Sequence, residues 1–235
     1  MTAVFRVSRG LSCVRRGRHE NAPAFFPPQQ NIRVDFCGRG AIDVEGITWI
    51  GKNRYILADE RDQTLYWIAV DAQTESVGVA RAHRLRLSVR LGGSRKFRPE
   101  NYGFEGVVWD DAQHRLFVAK GKRPPRIFRM EGDSLWHAAA GVDLSIYEWW
   151  PKNGLIVDDI STLGFYAGHL LVLSDESKTL MEYSGDSKLI SMMPLWRGWQ
   201  SLERAIPQPE GIAVDHEEKI YILSEPNLFY RFERQ

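Results

Sequence analysis

The sequence predicts an all-β fold, and within that class a β-propeller. Three observations carry this reading. Short runs rich in Val, Ile, Leu, Tyr, Phe and Trp recur along the chain, turn-forming clusters separate them, and one motif returns at the same place in each group of strands. Helical signals are almost absent. A β-sandwich would also give many short strands, but it would not bring one motif back at one place in every repeat.

Four segments share a layout: VEGITWIGKNRYILADERDQTLYWIAVD (44–71), FEGVVWDDAQHRLFVAKGKRPPRIFRME (104–131), ISTLGFYAGHLLVLSDESKTLMEYSG (160–185) and PEGIAVDHEEKIYILSEPNLFYRFER (209–234). In each, an apolar strand passes through a turn (GKN, DDAQH, AGH, DHEE) to a second apolar strand, a polar loop and a third alternating strand. More polar fourth strands are expected at RAHRLRLSV (81–89) and KLISMMPLW (188–196), which completes a four-stranded blade. The tryptophans Trp49, Trp67, Trp109, Trp149 and Trp150 read as blade packing, and the insertion SIYEWWPKNGLIVDD (145–159) as a lid over the channel. Residues 1–30 carry several turn formers and no repeat pattern, so an irregular segment, disordered or truncated, is expected there, with the propeller over 31–235.

Composition narrows the function. With 235 residues, 43% of them hydrophobic, the chain can bury a full core. Lys and Arg number 31 against 30 Asp and Glu, so no net field points to nucleic acid. Two cysteines, Cys13 and Cys37, cannot make a disulfide framework or a complete zinc site. No apolar run is long enough to span a membrane, and residues 1–30 hold no continuous apolar segment of the secretory-signal kind. His114, His169 and His216 fall in hairpin turns, and neither a Gly-x-Ser-x-Gly elbow nor an HExxH helix is present.

The returning motif is a glutamate before a glycine at the start of a first strand: Glu45, Glu105 and Glu210, with Ser161 in the third repeat, spaced 60, 56 and 49 residues apart. In a propeller the first strand of each blade lines the axis, so these positions should ring one mouth of the channel. Gly46, Gly106 and Gly211 fit the same geometry, because blades crowd at the axis. The loops joining second and third strands open on the same face and form a second ring: Asp59, Glu60 and Arg61; Lys120 and Lys122; Asp175, Glu176 and Lys178; and Glu225. Carboxylates converging on one face repel unless neutralised, and hard oxygen donors suit Ca2+, which tolerates irregular geometry. Asp43, Asp158 and Asp159 stand just upstream of first strands and join this oxygen cluster; Glu45, Glu105, Glu210 and Asp159 are the expected metal ligands, and the second ring the expected ligand-binding residues. A structural role, with the carboxylates accepting backbone N–H groups, stays open beside this one. Arg61, Lys120, Lys122 and Lys178 are of the type that binds phosphate.

At these residues the sequence resembles the bacterial SdiA-regulated propeller family, the YjiK/CarP group. The resemblance rests on DVEGITWIGKNRYILADERD, NYGFEGVVWD, DDISTLGF, LLVLSDES and PEGIAVDHEEKIYILSEPNLFYRF, over about residues 43–234. It implies a five-bladed propeller, usually held by an N-terminal anchor on the outer side of the inner membrane. It further implies a loose kinship to phytase-like propellers and a link to calcium homeostasis, with no reaction firmly attached. The chain departs from the family at its start: residues 1–30 hold neither anchor nor strand set, and only NIRVDFCGRGAIDVEG, from Asn31, resembles a closing strand. Four recognisable blades and an incomplete N-terminal one are therefore expected.

The functional expectation is a calcium-binding propeller of the cell envelope that takes a small molecule, phosphorylated or not, or a protein on its channel face. Membrane association enters by family analogy only. The enzymatic alternatives are a calcium-dependent phytase-like phosphoesterase, for which the acidic and basic loops supply the right inventory, and a propeller lactonase.

Overall fold

The computed structural model describes residues 33–35, 43–61, 63–78, 84–87, 103–122, 124–131, 145–152 and 154–233. Among these the chain is all β. The first blade comprises β2 (Val44–Trp49), β3 (Arg54–Asp59), β4 (Thr64–Ala69) and β6 (Arg84–Arg86). The second comprises β7 (Phe104–Asp110), β8 (Arg115–Lys120), β9 (Arg126–Glu131) and β10 (Ser145–Trp149). The third holds β11 (Thr162–Tyr166), β12 (His169–Ser174), β13 (Thr179–Tyr183) and β14 (Leu189–Pro194). The fourth holds β15 (Gln208–Val214), β16 (Ile220–Glu225) and β17 (Leu228–Phe232). All four sheets are antiparallel meanders, and they are arranged as blades of a β-propeller: β2 packs on β7, β7 on β11 and β11 on β15.

The first-to-second-strand turns carry residues that tolerate a left-handed backbone. Asn53 stands at φ 59°, His114 at φ 51° and Gly168 at φ 84°. His114 thus has the turn role its position suggested, and its ring meets Trp109 edge-on at 5.9 Å.

The core lies between blades. Ile56, Ala58 and Leu65 of the first blade pack against Val107, Trp109, Leu116, Val118 and Met130 of the second. Phe117, Ala119 and Ile127 of the second meet Leu163, Leu170 and Val172 of the third. Leu171, Leu173 and Leu180 of the third meet Ile222 of the fourth, with Ile212 and Val214 alongside. Leu116 is fully buried in the first of these junctions. Leu116→Ala is expected to destabilise the fold by about 2–5 kcal/mol, the usual cost of a large-to-small change in a core, measured as a drop in the urea midpoint.

Close approach at the axis fixes one glycine. A Cβ on Gly106 would lie 2.8 Å from the Leu163 nitrogen and 3.0 Å from the Thr162 Cα, both backbone atoms of the neighbouring blade. Gly46, whose Cβ would lie 3.0 Å from the Val107 nitrogen, and Gly106 are thus inter-blade spacers as the sequence suggested, whereas a Cβ on Gly211 would meet only Leu223 of its own blade.

The expected fourth strands are present as β6 and β14, and three sequence expectations need correction. Residues 145–159 are not a lid: Ser145–Trp149 is the fourth strand of the second blade, and Trp149 and Val157 are buried between the second and third blades. Lys152 then donates its N–H to the Ser187 carbonyl at 2.9 Å and ties the segment to a turn of the third blade. Trp49 and Trp150 are not packing residues, being 56% and 54% exposed. Trp49 lies on the side of the first blade away from the second. The presumed closing strand, β1 (Arg33–Asp35), pairs in parallel with β5 (Ser76–Gly78), beside the first blade, so among the described residues the fourth blade has three strands. The expectation for residues 1–30 lies outside the described residues.

Candidate functional site

Each repeated glutamate sits on a β-bulge. In the first blade Val44 pairs with Asp59 and Gly46 with Ala58, so Glu45 has no residue opposite. Phe104 pairs with Lys120 and Gly106 with Ala119, which leaves Glu105 unmatched, and the same shift falls between Pro209 and Gly211 around Glu210. A bulge re-aims a side chain and bends the strand. The third blade has no such shift: β11 pairs regularly from Thr162, and Ser161 donates its N–H to the Leu173 carbonyl at 2.9 Å.

The loops between second and third strands reach forward onto the next blade. The Glu60 side chain lies over Gly103, where a Cβ would collide with its Cγ. Gly121 accepts a hydrogen bond from the Ile160 N–H at 2.9 Å, and Lys122 bridges to Asp159. The Lys178 ammonium donates to the Pro207 carbonyl. By alignment of the second strands, Glu60, Asp175 and Glu225 occupy one position, and Gly121 is its equivalent in the second blade. There the missing side chain makes room for Glu105: a Cβ on Gly121 would meet its Cγ and lie 2.8 Å from its Oε1. A carboxylate therefore fills this place in every blade, three times from the loop and once from the bulge.

The convergence has an electrostatic signature. Burial, and after it the charges of Glu60, Glu45 and Glu210, pushes the Glu105 carboxyl up to about 8. Burial, then Asp175, Glu45, Glu225 and Asp159, raises Glu210 to about 7. Glu60 is raised as well, by burial first and then by Asp43. The tightest grouping is Asp43, Glu45 and Glu60, each of which offers a carboxylate oxygen within 4.8 Å of the others.

Of the four expected metal ligands, Glu45, Glu105 and Glu210 are near enough for their charges to act on one another. Asp159 is held differently: it is buried and accepts hydrogen bonds from the Ser174 hydroxyl and from the Glu176 N–H at 3.0 Å. Asp59 is also buried, and receives the Asp43 N–H at 3.1 Å. The basic residues are engaged with acids. Arg61 contacts Asp43 at 3.3 Å, Lys122 contacts Glu176 at 2.8 Å, and Lys178 pairs with Asp175. Lys120 is half-buried, and desolvation, followed by the charge of Arg126, lowers its pKa. Of the three acids placed just upstream of the first strands, Asp43, Asp158 and Asp159, the sequence favoured Asp159 as a ligand where the structure groups Asp43 with Glu45 and Glu60, and the space left by Gly103 and Gly121 was not foreseen. The signal was there: Asp-x-Glu-Gly at 43–46 places a second acid two residues before the bulged one.

These shifts set a pH dependence. For Glu105 and Glu210 the folded-state value lies above the ordinary 4.5, so the folded protein holds these protons more tightly than the unfolded chain does. Their contribution is fully present below about 4.5 and is lost as pH rises through about 7 to 8. In chelator, the melting temperature should fall between pH 5 and pH 8, and Glu105→Gln, which keeps the uncharged shape, should flatten that slope.

Three solved structures are similar to this chain in outline. The WD40 β-propeller domain of Doa1 matches at 14% identity and a TM-score of 0.45, over 82% of this chain and 51% of that one. A protein of unknown function from Bacteroides caccae matches at 10% identity and 0.46, over 82% and 61%. Myxococcus xanthus glutaminyl cyclase matches at 15% identity and 0.47, over 81% and 67%. The chain thus spans about half of the first and three-fifths of the second. Its sequence is more telling: residues 35–233, bulged glutamates and forward-reaching loops included, match the family model described as SdiA-regulated, and the chain belongs to that family.

Proposed function

We propose that this chain is a calcium-binding β-propeller of the cell envelope, which takes a small molecule, phosphorylated or not, or a protein on its acidic face. Asp43, Glu45 and Glu60 would hold the ion, with Glu105 and Glu210 beside it. The observation that carries this reading is the approach of the three carboxylates to within 4.8 Å of one another. The donors are all carboxylate oxygens, the set that Ca2+ favours, and the family resemblance supports both the metal and the envelope setting. The burial that raises Glu105 and Glu210 gives the apo mouth a reason to take up positive charge. When bound, the ion would neutralise the cluster and offer open coordination positions to an anionic group.

Binding is preferred to phosphoester hydrolysis because Arg61, Lys122 and Lys178 already contact carboxylates, which leaves fewer cations for a substrate phosphate. Calorimetric titration tests the proposal. Heat of binding is expected for Ca2+ in the range of weak extracellular-type sites, and should vanish in Glu45→Gln. No heat at millimolar calcium would end the metal reading. A phosphoester and lactone screen with and without chelator completes the test, since calcium-dependent turnover would replace the binding role by an enzymatic one.

A further inference from the structure

The acidic group at the first blade comes with a cation of its own. The Glu60 N–H donates to the Asp43 carbonyl at 2.8 Å, and the Asp43 N–H donates to the Asp59 carboxylate at 3.1 Å. These two bonds lock residue 43 to the end of β3, and so bring Arg61, the next residue along the loop, onto the Asp43 side chain. Its Nε approaches Asp43 Oδ2 at 3.3 Å. Asp43 is one of the three carboxylates that lie within 4.8 Å of one another. Lys122 and Lys178 contact Glu176 and Asp175, which stand outside that group.

The contact is a loose one. A structural pair in this fold looks different: Arg115 grips Asp110 Oδ2 with Nε at 3.1 Å and Nη2 at 2.6 Å, and Asp110 is buried and accepts the Gln113 N–H as well. Arg61 comes no closer to Asp43 than 3.3 Å, and its side chain is 51% exposed. A strong charged hydrogen bond is shorter, about 2.7–2.9 Å. The charge of Arg61 reaches the group all the same, since it opposes the rise that burial and Asp43 impose on the Glu60 carboxyl.

We propose that Arg61 is the tethered counter-ion of the cation site and makes that site selective for divalent over monovalent ions. The inference rests on the calcium reading above. With all three acids ionised, the carboxylates and the guanidinium together carry an excess of two negative charges. A sodium or potassium ion that displaced the guanidinium from Asp43 would leave that excess as it was. It would also have to outcompete a cation that the loop holds in place at high effective concentration. A calcium ion in the same place halves the excess, and the half-exposed Arg61 side chain gives way into solvent. The loose contact is what such an exchange needs: close enough to balance charge in the empty site, and weak enough to yield to a double charge.

Arg61→Met and Arg61→Lys test this by calorimetric titration of Ca2+ and by melting curves in chelator, each at low ionic strength and with about 150 mM NaCl. At low salt the Met variant should bind calcium roughly three- to tenfold more tightly than wild type, because a fixed positive charge has gone from beside the ion. Added NaCl should weaken calcium binding more in the Met variant than in wild type, since sodium now enters where the guanidinium stood. In chelator at low salt the Met variant should melt about 1–3 °C below wild type, and NaCl should close that gap. The Lys variant keeps the charge and should follow wild type in every arm. Arg61→Gln substitutes for the Met variant if that protein loses its strand spectrum. Calcium binding in the Met variant that is unchanged or weaker would make Arg61 an orienting partner of Asp43 and overturn the proposal. So would a Lys variant that behaves like the Met one, or a gap in chelator that NaCl leaves open. A wild type that takes no calcium ends the reading of the site itself, and this inference with it.

Discussion

Millimolar calcium should raise the melting temperature of this protein, and Glu45→Gln and Glu60→Gln should each remove most of that rise. A ligand that binds only the folded state stabilises it by about 2.7 kcal/mol at about a hundredfold excess over its Kd. For a domain of this length that is roughly 5–10 °C. The same substitutions should act with the opposite sign in chelator. Glu60 stands close to Asp43 and Glu45, and its charge also helps to raise Glu105, so neutralising it relieves repulsion and stabilises the calcium-free fold. Melting curves of three proteins in two buffers decide the matter. Variants that melt lower than wild type in both buffers would assign the glutamates to blade architecture.

Among the three glycines that follow the repeated glutamates, Gly106 should tolerate an added methyl least. Its Cβ would lie 2.8 Å from the Leu163 nitrogen, 3.0 Å from the Thr162 Cα and 3.1 Å from the Thr162 carbonyl carbon. None of these atoms can swing aside without moving β11, so the cost is that of overpacking, about 1–3 kcal/mol. Gly106→Val should cost more. Gly211→Ala is the control at the matching position of the fourth blade: its nearest neighbour is the Leu223 Cβ at 3.2 Å, an atom of the same sheet that stands farther off than the Leu163 nitrogen does at Gly106. Urea midpoints measure the difference, and equal losses for the two alanines would mean that the second and third blades are not held at this spacing.

The blades and the ring of glutamates were legible in the sequence because both are written locally. Strand alternation, turn residues such as Asn53 and Gly168, and a glutamate before a glycine each show within a few residues. What was not legible depends on which surface meets which. Trp49 and Trp109 occupy equivalent positions, yet one is exposed and the other buried, because only the second has a blade in front of it. Trp150 and the 145–159 insertion follow the same logic, with Trp149 and Val157 drawn inward between two sheets. The choice of Asp43 over Asp159 in the tightest acidic group is likewise a tertiary matter. Both stand two residues before the aligned Glu45 and Ser161, but Ser174 and the Glu176 N–H engage Asp159 in the third blade.

The bulges make the acidic mouth separable from the propeller that carries it. Along an ordinary strand every residue is bound by alternation: to change one is to touch the core or its opposite number on the next strand. Glu45, Glu105 and Glu210 stand outside that count, since their partner strands have no residue across from them. The third blade shows the consequence. It carries a serine at that place, just ahead of a ladder that runs regularly from Thr162, and its Val172 and Leu173 are fully buried all the same. Charge at the mouth can therefore be added or deleted one blade at a time, so that a single scaffold can be tuned across related proteins from a strong cation trap to a neutral pore without redesign of its interior.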